Sequence, residues 1–274
     1  MSKVIRYISL YWQFIVVYMK SKMQYRIGFF AEILANFVLV GVYYAGIVII
    51  FTNFKEINGW NLSQILFLFS FNWLCYSVSG FLLWAPMLNL GDTIQAGEFD
   101  SYLIRPLNPL TYLVFRQFQY TFIPRLIVAL VFIVSSFKST GIEITVQTVS
   151  LMVIYLITGI LIHSCILVCI GAVSFVIIQN RQVGELLTSS DYGLRTFTDY
   201  PLSIYNKFVR FLLTCLIPYA FVNYYPVAML LGKNKEISTN SMFYVLPVLI
   251  AVILFIIAKI AWNAGLRKYE STGN

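Results

Sequence analysis

Residues 27–51 read IGFFAEILANFVLVGVYYAGIVIIF, an apolar run in which Glu32 carries the one charge. A helix needs about 20 mostly apolar residues to cross the hydrocarbon core of a bilayer. The run is long enough for that, and it contains neither the regular polar stripe of a surface helix nor a proline that would end it. It therefore predicts a membrane-spanning helix.

The rest of the chain has the same apolar character. Of its 274 residues 59% are hydrophobic and 11% are charged, whereas soluble domains carry about 25% charged residues. The net charge of +8 does not indicate nucleic-acid binding, because the basic side chains lie mostly at the ends of apolar runs, as in cytoplasmic loops of membrane proteins. We predict an all-α integral membrane protein that is surrounded by lipid and binds no nucleic acid.

Further apolar runs show where the chain would cross the bilayer. They predict crossings at about 63–86, 115–136, 147–178 and 242–263. Residues 3–22 differ, because their apolar side chains recur at helical spacing between basic ones, as in a helix that lies in the membrane interface. We expect an N-terminal amphipathic interfacial helix within residues 1–26 and one transmembrane domain over residues 27–274.

The stretch before the last crossing allows two topologies. In the first, 182–205 is a cytoplasmic loop and 208–232 crosses the membrane. In the second, 183–202 crosses and 207–232 is a re-entrant hairpin that dips back from the extracellular side. The later half is the more apolar, but two prolines within it would break a straight helix. Both topologies give six transmembrane helices.

The distribution of lysine and arginine sets the orientation, because these residues concentrate in cytoplasmic loops. Most of them flank the ends of crossings that lie on the same side as the N-terminus. We expect a multi-pass protein of the plasma membrane with both termini in the cytoplasm.

Several kinds of chemistry are missing from the sequence. Gly232-Lys233 lacks the upstream glycine and the following hydroxyl residue of a phosphate-binding loop. The single histidine, His163, has no carboxylate near it in sequence and is expected to hydrogen-bond between helices. The four cysteines lie in apolar stretches and provide too few ligands for a metal site. We predict no catalytic residue, no metal and no cofactor in this chain.

Residues 97–109, GEFDSYLIRPLNP, mix charged and apolar side chains between residues that turn the chain. This run resembles the signature G-x-hydrophobic-D-x-hydrophobic-L-hydrophobic-R-P-hydrophobic-N-P of ABC-2 type permeases, the ABC-2 family transporter proteins. A second run, YPLSIY at 200–205, resembles the family's later stretch together with Arg210, Pro218, Ala220, Phe221 and Tyr224-Tyr225-Pro226. The family pattern has one residue between tyrosine and proline there, whereas Tyr225 directly precedes Pro226. With the apolar spacing, the resemblance covers nearly the whole chain.

The resemblance implies the permease subunit of an ATP-driven ABC exporter. A second permease chain, identical or related, and two separate ATP-binding cassette ATPase subunits would complete the transporter. The ATPase subunits would bind ATP and Mg, and the permease itself would not be an enzyme. The substrate would be a drug-like, lipidic or other amphiphilic molecule, exported by alternating access. The resemblance also favours the topology with a fifth crossing at 183–202 and a hairpin at 207–232.

By the same resemblance, residues of about 92–106 would form a coupling helix that docks into a cleft on the ATPase. Apolar side chains would fill the cleft and charged ones would pair with its rim. The expected contact residues are Gly97, Glu98, Phe99, Asp100, Leu103, Ile104, Arg105 and Pro106.

Ionisable residues inside crossings are candidates for the translocation path, because they are costly in lipid and usually face a partner or a water-filled cavity. The candidates are Glu32, Arg125, Glu185, Asp191, Arg195 and Asp199. Together with Thr188, the last four recur every three or four residues and would form one stripe on a helix, where Asp191 and Arg195 could pair. Glu32 and Arg125 would either pair to join two helices or face the path.

Two other functions remain open from the residues alone. A stand-alone secondary transporter usually shows internal repeats around an ion site near the midplane, and no repeat is visible between the halves of this chain. A membrane-embedded lipid-modifying enzyme would need a cluster of histidine and acidic residues at one membrane face, whereas the chain has one histidine and scattered acids.

Overall fold

The computed structural model describes residues 3–177, 181–233 and 242–270, and its regular elements in these ranges are helices. The α-helices are α1 (Lys3–Lys22), α2 (Arg26–Asn53), α3 (Leu62–Leu88), α4 (Leu90–Gln95), α5 (Asp100–Leu103), α6 (Pro109–Arg116), α7 (Phe122–Ser139), α8 (Val146–Val173), α9 (Arg181–Thr188), α10 (Lys207–Phe211), α11 (Tyr224–Leu230) and α12 (Met242–Arg267).

Among the described residues, five helical stretches are long and apolar enough to cross a membrane. They are Ser9–Asn53, Leu62–Gln95, Phe122–Ser139, Val146–Val173 and Tyr244–Arg267. A sixth candidate is a bent pair of shorter stretches, Lys207–Leu216 and Tyr219–Leu230. The predicted all-α integral membrane fold is confirmed.

Two predicted helix boundaries were wrong. The third crossing was expected to begin at residue 115, but α6 ends at Arg116 and α7 begins at Phe122. Between them the backbone leaves the helix, and Gln119 N–H donates to the carbonyl of Phe81 instead. The fourth crossing was expected to reach residue 178, but α8 ends at Val173.

The core of the bundle is built around α3, whose side chains are buried along most of its length. Helices α7 and α8 pack against it, and Tyr44 of α2 bonds Ser70 of α3 over 3.0 Å while its ring stacks on Phe132 of α7 at 4.0 Å. By contrast, α2 and α12 expose long rows of large apolar side chains, among them Ile27, Phe30, Leu34, Val38, Val42, Leu249, Val252, Ile253, Phe255, Ile256 and Ile260. Such faces are stable where lipid covers them.

The bundle has two distinct ends. At the first, which we call the coupling end, Phe175 after α8 packs against Trp262 of α12 at 5.2 Å and against Phe99 at 5.3 Å. At the opposite end, the Lys233 ammonium donates to the carbonyl of Gly59 over 2.6 Å, in the loop between α2 and α3.

The fifth passage through the bundle is not a continuous helix. The chain enters at the coupling end, where Arg181 contacts Asn89 over 3.4 Å, and leaves at Lys233. In between, α9 ends at Thr188 and a 3₁₀ helix covers Leu194–Asp199. The single helix expected over 183–202 is therefore wrong. The alternative of a cytoplasmic loop over 182–205 is also wrong, because Asp199 is buried and accepts a hydrogen bond from Asn72, halfway along α3.

The predicted hairpin over 207–232 falls on the bent pair, whose two stretches meet at 78°. The bend lies at Pro218, which cannot continue a helix, as the sequence indicated. It brings Tyr219 to the middle of the bundle, with its ring 5.8 Å from that of His163 in α8. From there α11 runs back toward Lys233 at the opposite end.

Close packing at Gly159 of α8 holds this bend in place. A β-carbon built on Gly159 would lie 2.7 Å from the Val222 carbonyl oxygen and 2.8 Å from Cys75 Sγ. We expect Gly159→Ala to lower stability by about 1–3 kcal/mol, because an added methyl overpacks a site bounded by backbone. The measurement is the unfolding free energy of the purified protein in detergent.

Gly46→Ala in α2 is the matched control, since nothing lies within 4 Å of a β-carbon built there. It should leave stability unchanged or raise it slightly, because alanine favours a helix more than glycine does. Equal effects of the two substitutions would contradict this account of the packing.

Candidate functional site

The coupling segment, residues 92–106, begins with a helix end that explains one motif residue. Gly97 has a positive φ of 69°. Its N–H donates to the carbonyl of Ile94 and the N–H of Glu98 to that of Thr93, at 3.0 and 3.1 Å. This is the Schellman pattern at the end of α4, which favours glycine because other residues are strained there. Gly97 therefore turns the chain and is not needed as a contact.

The end of the motif is also structural. Asn108 Oδ1 accepts from the N–H of Leu110 over 3.0 Å, and Pro109 takes the first position of α6. Asparagine and proline are both favoured at these positions of a helix start. The Asn-Pro pair thus sets where α6 begins.

Phe99 anchors the coupling segment to the bundle. Its ring is fully buried and packs against Phe175 at 5.3 Å and Tyr269 at 5.0 Å. Phe99 therefore lies in an apolar pocket of the chain itself and has no accessible surface in this structure, and its contact with an ATPase stays a prediction.

The charged residues of the segment are held by the same chain. Asp100 Oδ1 accepts from the Tyr269 hydroxyl over 2.7 Å, and Glu98 pairs with Arg116 of α6 over 3.2 Å. Burial and the hydrogen bond to Asp100 raise the pKa of Tyr269 to about 12, so its hydroxyl is protonated and donates at neutral pH. These contacts tie the segment to α6 and to the end of α12.

The exposed residues of the segment include four consecutive ones at its tip, Leu103, Ile104, Arg105 and Pro106. Ile104 has 83% of its surface accessible. Within the predicted contact set these four residues form an exposed tip, Phe99 is buried, and Glu98 and Asp100 bond to other parts of the chain.

Ionisable groups gather on the side of the bundle formed by α2, α3, α7 and the fifth passage. Two adjoining cavities of about 210 and 290 Å³ share Ser190 and Asp191 as lining residues. We call them together the polar groove. Arg125 and Glu185 line the first cavity and Asp199 the second. The structure thus brings four of the six path candidates to one groove.

Asp191 and Arg125 have partners from other parts of the chain, whereas Glu185 pairs with Arg181 of its own helix α9 over 3.0 Å. Asp191 accepts from the Tyr43 hydroxyl of α2 over 2.6 Å. Arg125 of α7 donates to Asn36 Oδ1 of α2 over 3.2 Å and to Ser190 Oγ over 3.3 Å. The groove is therefore cross-linked by hydrogen bonds between helices.

Arg195 lies behind the groove and is fully buried. It pairs with Asp199 over 3.2 Å, and its guanidinium carbon sits 4.2 Å from the ring centre of Tyr76. The predicted pair of Asp191 with Arg195 is wrong. The turn between Thr188 and Leu194 puts Asp191 on a different element, whereas Asp199 stays one turn from Arg195.

Glu32 lies apart from this set. Its carboxylate accepts a hydrogen bond from the Tyr120 hydroxyl, and in the part of the chain that the structure describes it forms no ion pair with Arg125. The pairing of Glu32 with Arg125 offered from sequence is therefore wrong, and of the two residues Arg125 is the one that lines the polar groove.

Sequence reasoning missed the amides that bind these charges. Asn72 Nδ2 donates to Asp199 over 2.7 Å, and Asn223 Nδ2 donates to the carbonyl of Thr198 over 2.6 Å. The available signal was an asparagine within an otherwise apolar run, as at Asn36 and Asn72. The expected bridging role of His163 is confirmed by its 2.7 Å hydrogen bond with Ser79 of α3.

Fold and geometry define a polytopic helical membrane protein. At one end it has a loop that is bonded to the bundle and exposes its tip, and it has a polar groove in its side. The chain belongs to the ABC-2 family of transporter proteins, whose family model matches residues 37–273. It is accordingly a membrane permease of the ABC transporter class. Comparisons with curated proteins and with solved structures find no match.

Proposed function

We propose that this chain is the permease subunit of an ATP-driven exporter and carries no catalytic residue of its own. ATP and Mg would be bound by separate ATP-binding cassette subunits at the coupling end. That end would face the cytoplasm, with both termini, because it carries Arg105, Arg116, Arg181 and Arg267. The protein would lie in the plasma membrane.

One observation carries the proposal: the coupling segment exposes four residues at its tip while its other side is bonded to helices of the bundle. Leu103 and Ile104 are apolar and accessible, and Arg105 follows them. A partner that bound this tip would move α6 and α12 with it, through the Glu98–Arg116 ion pair and the Asp100–Tyr269 hydrogen bond. Nucleotide-driven motion would thereby reach the membrane helices.

The polar groove is the proposed translocation surface. It combines carboxylates and an arginine with the aromatic side chains of Tyr43, Phe69 and Tyr200, which suits a drug-like, lipidic or other amphiphilic substrate. A second permease chain, identical or related, would close the open side of the groove. Alternating access would then require the two chains to rock against each other.

The test is Ile104→Asp in the chain expressed together with an ATP-binding cassette ATPase that co-purifies with the parent protein. We expect the ATPase no longer to co-purify, because a carboxylate replaces the most exposed apolar contact at the tip. ATP-dependent transport in proteoliposomes should fall to background. Ile144→Asp is the matched control, since Ile144 is 70% exposed in the loop between α7 and α8 at the opposite end.

Equal retention of the ATPase by both variants would overturn the assigned docking surface. Uptake by the permease alone, driven by a proton or sodium gradient, would overturn the ATP-driven function and favour a secondary transporter.

A further inference from the structure

A crevice between α8 and α12, near the coupling end, has a lining unlike that of the polar groove. Its volume is about 270 Å³, and Leu161, Val168 and Phe255 form apolar walls. Its polar lining residues include Lys259, Asn263, Asn108 and Ser164, and no carboxylate is among the described residues that line it. Beside it Ile256 and Ile260 are exposed on the apolar face of α12. The crevice therefore adjoins the surface that lipid covers.

Lys259 is unusual for its depth. It lies eight residues before Arg267, the last residue of α12, which is about 12 Å along a helix. With Arg267 at the membrane interface, the backbone at Lys259 would lie among acyl chains, because half of a bilayer's hydrocarbon core is about 15 Å thick. A lysine there is costly unless its ammonium reaches the interface or pairs with an anion.

The part of the chain that the structure describes pairs no such anion with Lys259. Lys259 is exposed, and none of the ion pairs among residues 3–177, 181–233 and 242–270 includes it. Asn263 lies four residues on, on the same face of α12, and Asn108 caps α6 nearby. A cation whose side chain can extend toward the interface, with two amides beside it above apolar walls, complements a phosphate that carries an acyl chain.

We propose that this crevice binds an anionic phospholipid from the leaflet at the coupling end. The ammonium of Lys259 would hold the phosphate, the amides of Asn263 and Asn108 would donate to headgroup oxygens, and one acyl chain would lie against Leu161, Val168 and Phe255. The site is separate from the polar groove and does not depend on the proposed transport function.

The experiment compares lipids on the delipidated protein in detergent. Phosphatidylglycerol should raise the midpoint of thermal unfolding more than phosphatidylcholine with the same acyl chains does. Lys259→Gln should abolish that difference. Lys268→Gln, which removes an exposed charge just beyond α12 and outside the crevice, should preserve it.

A phosphatidylglycerol analogue with a photoreactive acyl chain should label peptides of α8 and α12, and unlabelled phosphatidylglycerol should compete with it. The proposal would be overturned by equal shifts of the unfolding midpoint with the two lipids, or by an undiminished difference between the lipids in Lys259→Gln. It would also be overturned by a matching shift with glycerol phosphate alone, or by a disulfide between two Ile260→Cys chains. The last result would place a second copy over the crevice.

Discussion

Asp199→Asn is expected to lower the free energy of unfolding by about 3–5 kcal/mol, the cost of leaving one charge of a buried pair uncompensated. Arg195 is fully buried, and Asp199 is the carboxylate paired with it. Among the described residues, Arg195 Nε and Nη2 have no hydrogen-bond partner. The remaining stabilisation comes from the ring faces of Tyr76 and Trp73, at 4.2 and 5.7 Å, which contributes less than a carboxylate does.

The measurement is equilibrium unfolding in mixed micelles with increasing SDS, followed by tryptophan fluorescence. Asp92→Asn is the matched control, because its carboxylate is 69% exposed and lies 3.9 Å from Arg181. An exposed pair of this kind contributes about 0–1 kcal/mol. The control should therefore stay close to the parent protein.

A double variant protects the test against simple misfolding. Arg195→Met in the Asp199→Asn background removes the unpaired cation, while the amide introduced at 199 can still accept from Asn72. The double variant should be more stable than Asp199→Asn alone, so the two effects are not additive. Additive losses, or a loss no larger than that of Asp92→Asn, would show that the ion pair is not what holds the fifth passage against α3.

The fold could largely be predicted from sequence where one physical term dominates. Apolar runs such as 27–51 have to be helices in lipid, because every backbone group must bond within the segment. The fifth passage could not be predicted in this way. It contains both charged and apolar residues, and neither kind alone decides between a membrane helix and a loop. Ser189-Ser190-Asp191-Tyr192-Gly193 contains the turn-forming residues that end α9. A spacing of four residues suited both Asp191–Arg195 and Arg195–Asp199, and only the position of that turn distinguishes them.

For the candidate site, the sequence predicts a set of residues, and the structure shows which of them are exposed and which are buried or bonded within the chain. A motif such as 97–109 shows which residues occur together, and it does not separate those that face a partner from those that fold the segment. Gly97 and Asn108 have local backbone roles that the turn and capping rules alone indicate. Phe99 required the structure, because its neighbours Phe175 and Tyr269 are distant in sequence.

The second large effect is expected at Phe99. Phe99→Ala removes a fully buried ring that packs against Tyr102, Phe175 and Tyr269. Replacement of a buried phenylalanine by alanine costs about 3–5 kcal/mol. Because this ring joins the coupling segment to the ends of α8 and α12, we expect the loss to appear first as local opening. Hydrogen exchange of residues 97–104 should accelerate, and the unfolding free energy should fall.

Phe54→Ala is the control for Phe99→Ala, since Phe54 is an exposed phenylalanine after α2 at the opposite end. It should change neither hydrogen exchange at 97–104 nor stability. The comparison also separates anchoring from docking: Phe99→Ala leaves Ile104 and Arg105 unchanged, so the ATPase should still co-purify while transport driven by it declines. Phe99→Ala could instead release the ATPase as completely as Ile104→Asp does, while exchange at 97–104 stays slow. That result would make Phe99 a docking residue, and the division of this segment into a buried anchor and an exposed tip would be wrong.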